Sequence, residues 1–152
     1  MSNIVQEIVE QGLARIASDL PDYAEIDYSY ALDANECRGK EKRYGFTPSS
    51  ALFVEGRQLG FTTMDHTFNI ILLDSYANQD DDSRQRNKLN GLYTDMQKLI
   101  ASFNKKPFTL PTPENKILLV SGATIEAPEF IDNNAVAVLT ATIIIRYYFK
   151  IC

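Results

Sequence analysis

The chain has 152 residues, 45% apolar and 23% charged, with 20 acidic against 15 basic side chains and a net charge of -5. A single domain of this size buries roughly 70% of its extended surface, so it needs no metal or disulfide staple. The acidic balance argues against a protein whose main task is neutralising phosphates. Cys37 and Cys152 are too far apart in sequence to suggest a metal cluster or disulfide framework, and they fit a reducing compartment.

The opening, "MSNIVQEIVEQGL", has neither a basic n-region nor an uninterrupted apolar h-region, so no signal peptide is expected. From Ile4 the apolar residues Ile4, Val5, Ile8, Val9, Leu13, Ile16 and Leu20 recur at helical spacing, with Glu7, Glu10, Gln11 and Arg15 largely opposite. The pattern predicts an amphipathic helix of about four turns, capped by Asn3 and stopped by Pro21. Next, "AEIDYSYAL" alternates Ile26, Tyr28 and Tyr30 with Asp27 and Ser29, as a short strand with one wet face does.

"DANECRGKEKRYGFTPSSA" then breaks all periodicity. It holds Gly39, Gly45 and Pro48 and four basic side chains, Arg38, Lys40, Lys42 and Arg43. The expectation is a flexible loop or loose hairpin around residues 33–50. Glu55-Gly56-Arg57 reads as a turn, and Thr67 to Tyr76 as a strand whose middle, "FNIILL", is buried on both faces. A second amphipathic helix follows, with Leu89, Leu92, Tyr93, Met96, Leu99, Ile100 and Phe103 in one stripe. Asp80, Asp81, Asp82 and Ser83 stand at its positive end and Lys105 and Lys106 at its negative end. "LPTPEN" connects it to a further strand, "KILLVSGATIEAP".

The last segment, Ala135 to Phe149, is rich in Val, Ile, Thr and Tyr, which favour extended backbone. One face carries Ala137, Leu139, Ala141, Ile143, Ile145, Tyr147 and Phe149. The other carries Val136, Val138, Thr140, Thr142, Ile144, Arg146 and Tyr148, and is still half apolar. Its most apolar run, Ala135 to Ile145, is too short to span a bilayer as a helix, which leaves a soluble, cytoplasmically made protein as the expectation. The elements predict one α+β domain over 1–152: a mixed, mainly antiparallel β-sheet with two amphipathic helices packed on one face. No third helix is left for the other face, which therefore points toward a partner.

Chemistry is sparse. The only histidine, His66, follows Asp65, but neighbours in an extended strand face opposite ways, so Asp65 is poorly placed to orient it. "NQDDDS" lacks the alternate oxygen ligands, sixth-position glycine and closing glutamate of an EF-hand, and helix-dipole matching accounts for its acids. The scattered glycines form no phosphate loop, and Ser121-Gly122 is no nucleophile elbow. "RGKEKRYGF" admits a nucleic-acid reading in which Tyr44 and Phe46 stack on bases. Glu41 and the overall acidity count against it. No catalytic residue, metal or cofactor is expected.

The order of elements, with "FNIILLDSYANQDDDSRQRNKLNGLYTDMQKLI" and the closing "AVLTATIIIRYYF", resembles the tail terminator proteins of tailed bacteriophages from Ile4 to Phe149. That resemblance implies a small α/β subunit forming a homohexameric ring that caps the tail tube, ends its polymerisation and offers the head-docking surface. It implies no enzymatic chemistry. The partners would be further copies of the chain, the tail tube protein and a head–tail connector or neck protein. The place of action would be the tail–neck region of a virion assembled in the host cytoplasm. It also implies that the segment after the first strand serves in ring or tube contacts. The candidate assembly residues are Arg38, Lys40, Lys42, Arg43, Tyr44, Phe46, Ile144, Arg146 and Tyr148. The alternatives are a head-completion or neck connector protein, a small nucleic-acid-binding domain through the basic segment, and a hydrolase using Asp65 and His66.

Overall fold

The computed structural model describes residues 4–26, 42–54, 61–75, 82–106, 108, 116–131 and 136–150. In chain order the elements are α1 (Ile4–Asp19), β1 (Ala24–Glu25), β2 (Lys42–Val54), β3 (Phe61–Ser75), α2 (Asp82–Lys105), β4 (Lys116–Ile125), β5 (Glu129–Ile131) and β6 (Val136–Lys150). The strands form one sheet in the order β1-β2-β3-β6-β4, with β5 also on β6. β1 runs parallel to β2, and every other pairing is antiparallel. The apolar C-terminal segment thus becomes the strand between β3 and β4, where burial on the helix side is greatest.

Both helices cover the same face. Ile8 and Ile16 of α1 and Leu92, Met96, Leu99 and Phe103 of α2 pack with Phe46, Phe68, Ile70, Leu72, Leu139, Ala141, Ile143 and Ile145 in a single core. The mixed α+β fold with two helices on the sheet is as the periodicities predict. Within the core, Phe46 stacks between Phe68 and Phe103, with centroids 5.3 and 5.8 Å away, and Phe103 stacks on Phe108 at 5.5 Å. Arg15 lies over the Phe103 and Phe108 rings at 5.2 and 4.9 Å, so a cation closes the end of this column.

The helices also cap each other. Arg15 of α1 donates to the Lys106 carbonyl past the end of α2 (2.6 Å), and Lys98 of α2 donates to the Asp19 carbonyl at the end of α1 (3.0 Å). Tyr23 then donates to Asp95 at 2.7 Å. Partners descend α2 as α1 and its turn advance, so the helices run antiparallel. Each places a positive side chain on a helix terminus whose carbonyls lack partners.

The expected loop or hairpin at 33–50 needs correction from Lys42 onward. Residues 42–50 are the first part of a thirteen-residue strand, while 33–41 lie outside the described residues. Tyr44 and Phe46 project into the core and Gly45 lies between them on the other face, so the period-2 pattern was present beneath the charge. Pro48 is tolerated because the β2–β3 register slips between Pro48 and Ala51 in a bulge, where proline does not interrupt a regular ladder. The three-residue strand β5 had no periodicity from which to be read. The turn at 55–57, the acids at 80 and 81, and most of the "AEIDYSYAL" strand lie outside the described residues.

Candidate assembly surface

Strand alternation assigns the second sheet face row by row. Thr47, Asn69, Thr142 and Thr124 are in register across β2, β3, β6 and β4. Thr67 and Ile144 form another row, and Leu52, Asp65 and Arg146 the next. At one end the chain covers this face itself: Ile26 packs with Leu73, Val136 and Val138 in a second small cluster. At the other end no helix or strand among the described residues lies over it. There Leu52 is 68% and Ile144 37% exposed.

Between these apolar residues Arg146 grips Asp65 with two hydrogen bonds, Nε to Oδ1 at 2.6 Å and Nη2 to Oδ2 at 2.8 Å. The fork geometry fixes both side chains. It also holds the Asp65 carboxyl below the usual carboxylate range, chiefly through those hydrogen bonds and against a smaller desolvation effect. The open end therefore sets Thr and Asn side chains and two exposed aliphatic residues around a neutralised ion pair. Arg146 and Asp65 neutralise one another there.

Asp65 and His66 do face opposite ways. Asp65 belongs to Arg146 on the open face, whereas His66 is buried on the helix face, with Nδ1 3.1 Å from the Tyr147 hydroxyl. They cannot act as an acid–base dyad.

The basic segment is dispersed. Arg38 and Lys40 lie outside the described residues. Lys42 stands over the Tyr23 ring at 5.5 Å on the helix side, and the Arg43 guanidinium reaches the Glu25 carbonyl at 3.4 Å. Tyr44 and Phe46 are core residues, 5% and 0% exposed, which corrects their expected place in an interface and removes them as base-stacking platforms. Ile144 and Arg146 are on the open face. Tyr148 continues their alternation opposite Thr63, though its side chain is outside the described residues. Leu52 joins this surface without a sign in the sequence, and Asp65, read there only beside His66, joins it as the partner of Arg146. The β2 bulge decides which way Leu52 points, and the strand register brings Asp65 beside Arg146; neither is visible in residue order.

A shallow hollow of about 270 Å³ lies among Lys42, Asp74, Asn87, Lys88 and Gly91. Its buried carboxylate, Asp74, is held by Lys88 at 3.3 Å, which gives these charges a structural use. Among the described residues no group of three or more His, Cys, Asp or Glu side chains could hold a metal ion, and no helix is long and apolar enough to cross a membrane. No family model matches the chain, and no curated protein matches it by sequence.

Proposed function

We propose that the protein is a structural subunit of a ring that caps a phage tail tube, ends its growth and presents the surface that docks to the head. The observation that carries this reading is the open end of the sheet. Both amphipathic helices are used on one face, yet Leu52 and Ile144 remain exposed on the other around the fixed Asp65–Arg146 pair. Burying such a patch against another copy gains hydrophobic free energy without stranding a charge. A closed heterologous ring uses two different surfaces of each subunit and leaves no free end. The resemblance in element order to tail terminators supplies the ring's place on a tail and the expectation of six copies.

The tube templates the ring in this proposal, because a partner that binds only the assembled form stabilises it by mass action. The experiment is therefore done with tail tubes present. Class-averaged images of tubes mixed with the purified protein are expected to show a ring of density seated on one end. Density on isolated heads with bare tube ends would instead support the head-completion reading.

A further inference from the structure

We propose that His66 is an acid-sensitive latch: protonation of its ring releases the part of β2 beyond the bulge, Ala51–Val54, from β3 while the rest of the sheet stays folded. His66 lies opposite Ala51, just past the point where the β2 register slips, and opposite Ile145 on its other side. The residue is 7% exposed and its ring packs on Phe68 with centroids 4.6 Å apart. Nδ1 meets the Tyr147 hydroxyl, whereas Nε2 is buried without a hydrogen-bond partner.

A neutral imidazole tolerates that arrangement by leaving Nε2 as an unused acceptor. The charged ring carries a proton on both nitrogens, and a buried donor that the Ser49 backbone satisfies only in part is costly. The bulge offers the shortest way to hydrate it. Ser49, Ser50, Ala51 and Leu52 are already exposed, and among the described residues Ala51–Val54 pair with β3 alone.

Among the described residues no carboxylate pairs with His66, and the Ser49 backbone offsets the added charge only in part. β2 contributes no ionisable side chain between Pro48 and Val54. β6 presents the Tyr147 phenol, itself pushed up by burial and so neutral. Asp65 and Arg146 are occupied with each other on the opposite face. In the helical layer the buried carboxylate is Glu7 of α1, and none of the hydrogen bonds or ion pairs of His66 reaches it.

Burial holds the imidazole below its ordinary value of 6.5, with partial compensation from the Ser49 backbone. His66 therefore binds the proton more readily in the unfolded chain, or with Ala51–Val54 released, than in the closed sheet. The stabilisation from the neutral ring is complete above the unfolded value and is lost as pH falls toward the folded one. Release would carry Leu52 away from the open face, so acid would remodel that surface whatever partner it meets.

Amide hydrogen exchange tests this, comparing about pH 7.5 with about pH 5 after correction for intrinsic rates. Protection at Ala51–Val54 is expected to fall several-fold more than protection in β6, and the fall should vanish in His66→Gln. In the unaltered protein, the His66 ring resonances should titrate with the same midpoint as the loss of protection, a measurement that does not depend on the variant folding. Three outcomes overturn the latch: uniform loss across the sheet, the same acid response in His66→Gln, or a ring that titrates without any change at Ala51–Val54.

Discussion

Gly12 and Gly91 both sit inside helices, yet a methyl group added to each has opposite consequences. A Cβ on Gly12 would land on the Phe46 ring, which is itself clamped between Phe68 and Phe103. Alanine gains about 1 kcal/mol as a helix former, but overpacking a fixed core costs about 1–3 kcal/mol. Gly12→Ala is expected to be destabilising in urea unfolding. Gly91 has nothing within 4 Å of the same position, so Gly91→Ala should stabilise by about 0.5–1 kcal/mol. Neither contrast is legible in the sequence, where both glycines interrupt amphipathic stretches in the same way. The identity of the neighbour decides, and here that neighbour is a residue first read as part of a loop. At this scale Asp65 is also separable from His66. Its carboxyl is held low by Arg146, so the stability it contributes persists above the ordinary carboxylate value and is lost as pH falls through its lowered folded value. Asp65→Asn should flatten that acid limb of a stability–pH curve without altering the His66 titration.

The two helices were the most readable elements, because a 3.6-residue stripe survives any detail of packing. Leu92, Met96 and Leu99 are all fully buried, with Ile100 at the margin of the core. Leu99→Ala is expected to cost about 2–5 kcal/mol in equilibrium unfolding, the range for a large aliphatic side chain lost from a closed core. Their mutual capping was not readable, since Arg15 and Lys98 each act on the terminus of the other helix. β2 shows why strands are harder. Its Tyr-Gly-Phe alternation lies beside a run of basic residues and is broken three positions later by a bulge, so charge density obscured a period of two. The outer strand β4 carries two further register shifts, between Ile117 and Leu119 and between Ser121 and Ala123. Irregularities of this kind discourage indiscriminate edge pairing, as the ring proposal requires of a subunit joining its neighbours in one geometry.

For the whole molecule, the sequence raised the question of what covers the second face of the last strand. The answer divides along its length. Ile26 and Leu73 close it at Val136 and Val138, and Ile144 is left exposed. The sequence could identify Ile144 and Arg146 from alternation alone, but the companions Leu52 and Asp65 required register. Under the ring proposal, Ile144→Asp should leave thermal unfolding of the isolated subunit nearly unchanged while preventing ring density at tube ends, because a new charge would have to be buried at the contact. Retained rings would place the contact elsewhere. The central claim is that this subunit ends tail growth, and the length distribution of tails tests it most directly. Electron micrographs of cells infected with a virus lacking the protein should show overlong or headless tails, and supplying the protein should restore normal length and joining. Tails of normal length with unfilled or unsealed heads would contradict the claim.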